Sequence, residues 1–553
     1  MVLLAAWLLW PALDPVHVEG FSASVVSLGL HVAQGTVADF MPSAAFNADY
    51  FGLTKLGAVL GVAGLSPMLG GDGAMRAIML ASLVVFLGAS AYLIRRWSGS
   101  GWTVVALVLI VIPGATENAF FFNDNVPAAA LLAFALAILD RAKSWPLALV
   151  AGLLIGWAVA VRTDVVLVAV AAAPLITLER QGLRRAALST VVAGLAAVAL
   201  LFGVFASVHA SPLDAIRAGA LANRLWDRTA SPLGAAFQFV YFCGWPGFAL
   251  MLFGLFELAK RRAWRTLALL AGAPLFFSAI LLGSLWESRQ FLTLLPFIGA
   301  LAARGAQATL ADMRGGRRAL PACVAIITLV VFLAPVRRLV ISDGPRVLFG
   351  RLWGVSLWTD WQAGVRRDMA TVDGLVARLP RGRPVAVLTD GWDDDRYLHL
   401  RLVERGYRRT PLPPACGAIG EGMGRGDGTL VQLTLLQSFV PYWPALQPQR
   451  LEQGALPCLA TVHPAEVVWL GRKGRIDALL DPHPGKRLLG PDLGITRTSP
   501  IVALRLDAKG LSALGQAYRR EAAAMGGRRD WLQAQAAMVS QTGFSRPTPA
   551  SGS

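Results

Sequence analysis

Residues 146–178 read PLALVAGLLIGWAVAVRTDVVLVAVAAAPLITL, an apolar stretch that only Arg162-Thr163-Asp164 interrupts. A single helix through this stretch would place the arginines that follow it, from Arg180 to Arg185, on the outer side of a membrane. Because basic loops tend to stay in the cytoplasm, we predict two membrane helices that meet in a turn at Arg162–Asp164. This hairpin sets the sidedness of the whole chain.

The remaining charges agree with that orientation. Hydrophobic residues make up 55% of the chain and charged residues 15%, and the mean hydropathy is +0.55, which is typical of polytopic membrane proteins. The net charge of +17 comes mostly from short loops between alternate apolar runs, so it indicates topology and not nucleic-acid binding. We therefore predict a multi-pass membrane protein, and the family resemblance given below implies the bacterial inner membrane. The basic loops contain Arg95-Arg96, Arg141 to Lys143, Glu179 to Arg185, Lys260 to Arg265 and Arg304 to Arg318.

The apolar runs predict eleven membrane helices within a transmembrane domain at residues 1–339. The first run is short for a bilayer, which favours a true start upstream. The first outer loop, residues 14–73, contains two apolar segments, 21–32 and 53–65, that we expect to lie along the membrane interface as amphipathic helices. The predicted spans are residues 1–13, 74–94, 102–113, 126–139, 146–161, 165–178, 186–208, 233–258, 266–285, 291–303 and 320–339.

The rest of the chain predicts a soluble α/β domain on the periplasmic side, at residues 340–545, with a disordered end at 546–553. Cys416 and Cys458 both lie in this domain, where an oxidising compartment would permit a disulfide. The overall fold class is thus a polytopic α-helical membrane protein with a C-terminal α/β domain. Strands are expected at 384–390, 429–435, 466–470 and 500–506, and helices at 395–405, 511–525 and 530–539.

Two motifs of this domain favour structural roles. Asp393-Asp394-Asp395 contains the Asp-x-Asp pattern of metal-binding transferases, but its place between a strand and a helix predicts a helix cap with acids favoured by the dipole. The glycine-rich segment 417–428 lacks the strand and helix of a dinucleotide fingerprint, so we expect a flexible loop there.

The first candidate for chemistry follows the first span, in the segment His17-Val18-Glu19-Gly20. A carboxylate at the water–lipid boundary is partly desolvated, which raises its pKa and suits a general base. Glu19 is equally well described as a solvated loop acid from its position alone.

The second candidate is the segment from Thr116 to Pro127, which contains Glu117 and Asn123-Asp124-Asn125. Asn and Asp before a helix, with Pro in its first turn, predict a capping arrangement. The span that follows is short, so its start would lie below the outer surface and offer N–H groups to a phosphate or an acceptor. For Asp124 a simple cap and a functional acid are equally good interpretations, while for Glu117 a solvated acid is the better one.

The third candidate is a set of arginines on the acidic side, where they oppose the usual charge distribution. Guanidinium groups match phosphate oxygens, so together the arginines suggest a phosphate site. Taken singly, each one is better explained by an ion pair or by solvent, for example Arg162 with Asp164 or Arg289 with Glu287. The set is Arg162, Arg217, Arg224, Arg228 and Arg289.

The order of these segments resembles the GT-C glycosyltransferases, in the branch similar to bacterial protein O-mannosyltransferases and the lipid A aminoarabinose transferase. The residues that carry the resemblance cover roughly positions 1–310. They are His17-Val18-Glu19-Gly20 with Leu28-Gly29, the segment 56–70 with Arg76 and Arg95-Arg96, Asn123 to Pro127, and Glu287-Ser288-Arg289-Gln290-Phe291.

This resemblance implies a sugar transfer from a polyprenyl-phosphate donor to a lipid, glycan or protein acceptor. Glu19 would be the catalytic base and Asp124 a second acid that orients the acceptor, helped by His17, Glu117, Asn123 and Asn125. The donor phosphate would be bound by Arg289, with Arg162, Arg224 and Arg228. A divalent metal is compatible with this scheme, although the sequence contains no His/Cys ligand cluster.

Two alternatives belong to other classes. In a transporter, Arg162 and Asp164 would line a pathway through the membrane, but the sequence shows no inverted repeat and its polar residues collect at one face. In a catalytically inactive scaffold, the architecture would persist without the reaction. Val18 stands where the family usually has a second acid, and Gln290 where an aromatic residue is common, which keeps the scaffold open.

Overall fold

The computed structural model describes residues 16–17, 19–39, 52–112, 114–115, 121–142, 144–180, 182–225, 232–282, 288–314, 354–380, 382–389, 391–426, 428–435, 447–480 and 499–524. These form a bundle of apolar helices followed by a domain that contains a mixed sheet. The main helices are α1 Glu19–Ala33, α2 Leu56–Ser98, α3 Trp102–Val111, α4 Asn125–Arg141, α5 Trp145–Val161, α6 Val165–Arg180, α7 Leu183–Ala206, α8 Pro212–Leu225, α9 Pro232–Lys260, α10 Trp264–Leu281, α11 Leu295–Arg314, α12 Gly354–Ala377, α13 Trp392–Glu404, α14 Leu456–Val462, α15 Lys473–Leu480 and α16 Ala508–Ala524. The strands are β1 Val16–His17, β2 Phe121–Phe122, β3 Val385–Thr389, β4 Arg408–Thr410, β5 Gly420–Arg425, β6 Gly428–Thr434, β7 Glu466–Arg472 and β8 Ile501–Arg505.

Several helices of the bundle are suited to a membrane. Within the described residues, five stretches are long and apolar enough to cross one, namely α2, α7, α9, α10 and Ser288–Ala311, and α5 and α6 are shorter apolar helices. Every predicted span that falls on described residues corresponds to helix, but the spans at 1–13 and 320–339 lie outside them. The total of eleven spans therefore stays a prediction.

The predicted hairpin is confirmed. Helix α5 ends at Val161, and α6 begins at Val165 after a turn at residues 162–164. Helix α5 also packs closely against α7, because an added Cβ at Gly152 would lie 2.2 Å from the Ala193 carbonyl oxygen and one at Gly156 2.6 Å from that of Ala197. Small residues four apart allow two membrane helices to approach in this way.

The first outer loop differs from the prediction of two helices along the interface. Its second segment is the start of α2, which continues to Ser98 through a kink at Gly70, where φ is 71°. Its first segment is α1, whose residues 22–31 are all buried, so it lies inside the protein and not on a lipid surface. The apolar faces of these helices are buried against other helices. Sequence periodicity does not distinguish this burial from burial in lipid.

The two ends of the bundle carry different side chains. Trp102, Trp145 and Trp264 each begin a helix directly after a basic loop, and all three are exposed. Tryptophans of this kind are enriched where a membrane meets water. We call this side the basic end, and we call the side with Asp124 and the 162–164 turn the acidic end.

The C-terminal domain is built on a six-stranded sheet in the order β4-β5-β6-β3-β7-β8. Strands β6, β3 and β7 are parallel, and the outer strands are antiparallel to their neighbours. The predicted strands are confirmed, as are the helices around 395–405 and 511–525, while 530–539 lies outside the described residues. Cys416 and Cys458 form the expected disulfide.

The glycine-rich segment is where the prediction of a flexible loop is wrong. Residues 420–425 and 428–434 pair as the antiparallel strands β5 and β6. The glycines permit close packing, because a Cβ at Gly422 would lie 2.6 Å from the Thr410 carbonyl oxygen. The domain docks on the bundle through α13, where His399 Nε2 lies 3.1 Å from His31 Nε2 and Arg401 pairs with Asp72 at 3.0 Å.

Candidate active site

A short parallel strand pair brings the two predicted acidic segments together. Val16 pairs with Phe121, and His17 pairs with Phe122. In a parallel pair both chains leave at the same end, so Glu19 and Asp124, each two residues beyond its strand, emerge side by side. The backbone thus places the starts of α1 and α4 together. The side chains of His17 and Glu19 lie outside the described part of the structure, and their roles stay predictions.

Asp124 stands at the N-cap position of α4, but Asn123 supplies the side-chain hydrogen bonds to the first turn. The Asn123 Oδ1 accepts hydrogen bonds from the backbone N–H groups of Asn125 at 3.0 Å and Val126 at 3.2 Å. Asp124 makes no side-chain cap hydrogen bond. The simple capping interpretation of Asp124 is therefore wrong, and its carboxylate has other partners.

Those partners are cations from two distant elements. Lys55 Nζ, just before α2, lies 2.5 Å from Asp124 Oδ2, and Arg162 Nη1 lies 3.3 Å from the same oxygen. The exposed fraction is 5% for the Asp124 side chain and 8% for Lys55. Ionised groups this deeply buried are costly unless they are paired, so such a cluster needs a structural or functional reason.

Arg162 joins this cluster and its neighbour at once. Its Nε lies 2.8 Å from Asp164 Oδ1 and its Nη2 2.5 Å from Asp164 Oδ2, which is a bidentate pair. The ion pair proposed for Arg162 is therefore present, and it also holds the guanidinium where Nη1 reaches Asp124. The turn at 162–164 thus orients a cation toward Asp124.

Arg289 supplies a third positive charge. It lies in a 3-10 turn, Ser288–Leu294, directly before α11. Its guanidinium acts electrostatically on the Asp124 carboxylate, as Lys55 and Arg162 do. Among the described side chains, Asp124 thus faces cations from three separate elements, and side chains of this kind bind phosphate oxygens.

The other predicted residues do not all reach this cluster. Arg217 is exposed and pairs with Asp214 on α8, as its solvated interpretation expects. Glu117 and Arg228 lie outside the described residues, as does the side chain of Arg224. No group of three or more His, Cys, Asp or Glu side chains that could hold a metal occurs in the part of the chain that the structure describes.

Lys55 is the residue that sequence analysis missed. It lies within the apolar segment 53–65, which was assigned as a whole to the membrane interface. A lone lysine on the acidic side is the same signal that singled out the arginines. Applying the charge rule to lysine as well would have found it.

The apolar helical bundle with its C-terminal sheet domain has the GT-C fold of known solved structures. The solved structures that share it include ArnT from Cupriavidus metallidurans, a lipid A aminoarabinose transferase. Its apo structure has a TM-score of 0.53 and 14% identity and covers 86% of this chain and 93% of its own. Its structure bound to undecaprenyl phosphate has a TM-score of 0.51 and 14% identity, with 86% and 94% covered.

A third structure, the Archaeoglobus fulgidus oligosaccharyltransferase complex with Zn and sulfate, has a TM-score of 0.41 and 13% identity and covers 84% of this chain and 67% of its own. No family model matches the chain, and no curated protein matches it by sequence. At these identities the likeness to ArnT establishes the fold.

Proposed function

We propose that this protein is a membrane glycosyltransferase that moves a sugar from a polyprenyl-phosphate donor to an acceptor at the periplasmic face. The observation that carries the proposal is the buried pairing of Asp124 with Lys55 and Arg162 at the start of α4, with Arg289 as a further cation that acts on the same carboxylate. The ArnT structure of the same fold binds undecaprenyl phosphate, which makes a lipid phosphate the first anion to consider here.

In the proposed reaction, Glu19 removes the proton from an acceptor hydroxyl or amine. The freed oxygen or nitrogen bonds to the anomeric carbon of the sugar while the bond from that carbon to the phosphate oxygen breaks. The phosphate leaves with the bonding electrons, and the configuration at the carbon inverts. Glu19 and Asp124 each follow one strand of the parallel pair, at the end where both chains leave it, which suits a base close to the cationic cluster.

The cations stabilise the leaving phosphate in this scheme. Guanidinium groups bind phosphate oxygens in pairs, and buried charges act strongly on charge that develops in the transition state. Asp124 holds Lys55 and Arg162 in place through its Oδ2. Its second role, orienting the acceptor, is the one that the family resemblance implies.

Two observations support the sidedness of the proposal. The disulfide between Cys416 and Cys458 favours an oxidising compartment for the C-terminal domain. The basic loops lie at the opposite end of the bundle from Asp124. Since basic loops favour the cytoplasm, this favours a periplasmic location for the cluster. The acceptor is a lipid, glycan or protein that reaches this side.

Binding of undecaprenyl phosphate to the purified full-length chain tests the anion site. Arg289→Ala should lower the affinity by about tenfold or more, because it removes a charge-assisted contact. Arg217→Ala is the matched control, since Arg217 is exposed and paired on α8. Equal affinities for the two variants would contradict the proposed phosphate site.

Transfer itself is tested with Glu19→Gln in the same preparation. Loss of the general base should reduce the rate by about 10²–10⁴-fold without reducing undecaprenyl phosphate binding. Near-normal transfer would refute the base role. Binding of the lipid by the wild type with no transfer to any acceptor would instead favour an inactive scaffold.

A further inference from the structure

A second feature of the membrane domain lies away from the Asp124 cluster. A groove of about 460 Å³ runs between α2 and α4 and reaches the start of α5. Val84 and Phe134 on its walls are 53% and 45% exposed. At Gly88 an added Cβ would meet no atom within 4 Å, so the groove is open above this residue. Its size falls within the range of about 300–1,000 Å³ that is common for ligand sites.

The groove ends among charged and aromatic side chains at the basic end. Arg141 and Tyr92 both line it, and the Arg141 guanidinium lies 4.2 Å from the centre of the Tyr92 ring. The neighbouring carboxylate of Asp140 accepts hydrogen bonds from the Tyr92 hydroxyl at 3.0 Å and from Trp97 Nε1 at 3.4 Å, and it pairs with Arg96. Asp140 is thus held by these groups, while Arg141 is exposed at the end of an apolar groove.

We propose that this groove binds one acyl chain of an anionic phospholipid, with the headgroup phosphate at Arg141. The apolar walls match the chain, and the arginine matches the charge, with the exposed Arg95 and Arg96 nearby on α2. The tryptophans that begin α3 and α5 place this end at the level of lipid headgroups.

The position of the groove separates this site from the proposed donor site. Helix α4 has 17 residues and spans roughly 25 Å, with Asp124 before its first residue and Arg141 as its last. The groove is lined by the second half of this helix, from Phe134 to Arg141. A phosphate bound at Arg141 therefore lies at the other end of the helix from the Asp124 cluster, and its occupant is a lipid of the opposite leaflet.

Native mass spectrometry of the full-length chain in detergent, with phosphatidylglycerol or phosphatidylcholine added, tests the site. The wild type should retain phosphatidylglycerol more strongly, and Gly88→Leu should lose that preference because the new side chain fills the groove. Gly194→Leu is the matched control, since Gly194 lies on α7, is exposed and also has open space at its Cβ. Leucine is a better helix former than glycine, so both variants should fold.

The charge is tested with Arg141→Gln, which should lower the phosphatidylglycerol affinity about fivefold, the contribution of one basic side chain near an anionic surface. Arg184→Gln, at the basic end on α7, should leave it unchanged. Equal retention of both lipids by the wild type, or of phosphatidylglycerol by wild type and Gly88→Leu, would overturn the proposal. A dimer that is present in the wild type and absent in Gly88→Leu would also overturn the proposal, because the groove would then bind a second copy of the chain.

Discussion

Two buried aspartates, Asp124 in the membrane domain and Asp395 in the C-terminal domain, lie in similar places and have different partners. Each comes shortly after a strand and at the start of a helix. Asp395 Oδ1 accepts hydrogen bonds from the Thr389 and Thr434 hydroxyls at 2.8 and 2.7 Å and from Gln432 Nε2 at 2.8 Å. Asp124 has ion pairs with Lys55 and Arg162 instead.

The difference separates a structural acid from a candidate functional one. The hydrogen bonds of Asp395 Oδ1 join the ends of β3 and β6 to the start of α13 through neutral donors, while Oδ2 lies 3.6 Å from Nε of the neighbouring Arg396. The partners of Asp124 are cations of the kind that bind phosphate oxygens. Location at a helix start does not distinguish the two cases, whereas the partners do: Asp395 binds neutral donors of the sheet, and Asp124 pairs with cations from two other elements.

Replacing Asp395 should have the largest effect on stability. Asp395→Ala removes the acceptor of two buried hydroxyls and one amide. It also removes the charge beside the buried Arg396, so the free energy of unfolding should fall by about 3–5 kcal/mol. Hydrogen exchange of the β3 and β6 amides measures this loss within the domain. Asp477→Ala, which breaks an exposed pair with Lys473, should change the same amides by less than about 0.5 kcal/mol. Similar exchange rates of these amides in the two variants would show that Asp395 does not have this structural role.

Replacing Lys55 tests the other half of the comparison. Lys55→Met keeps the length of the side chain but removes its charge, so the affinity for undecaprenyl phosphate should fall by about tenfold or more. Lys473→Met is the control for loss of one positive charge elsewhere. If Lys55→Met binds as the wild type does while Arg289→Ala does not, Lys55 has a structural role only.

Much of the membrane architecture is predictable because the charge of each loop indicates its side of the membrane independently of the other loops. The turn between Val161 and Val165 follows from the arginines after residue 180, and the confirmed disulfide follows from the compartment assigned to the tail. The adjacency of Glu19 and Asp124 is also expected from their shared side. The two-residue strands that produce it are too short to give a periodic signal.

The errors come from contacts between distant parts of the chain. Segment 53–65 is apolar, but whether it faces lipid or protein depends on α5, since Gly57 lies against Val161. The glycines of 417–428 predict a loop by composition, whereas β4 and β6 on either side hold them in a strand. Asp124 could not be separated from a cap without Lys55, whose partner is 69 positions away. Sequence patterns report local preference, and these outcomes depend on tertiary contacts.

The smallest expected effect concerns the contact between the two domains, where His399 meets His31. Burial, then the neighbouring His31 and Arg396, hold the pKa of His399 well below its usual range. Away from this contact the pKa returns to about 6.5, so the stability of the contact is full above that pH and falls as the pH drops below it. Hydrogen exchange of the α13 amides should therefore speed up between about pH 7 and about pH 5, beyond the intrinsic pH dependence of exchange.

His399→Gln should reduce this acid effect, while His463→Gln, at an exposed histidine of the same domain, should retain it. An equal acid effect in the wild type and His399→Gln would show that the histidine pair does not sense pH, and the docking would then depend on Arg401 and Asp72.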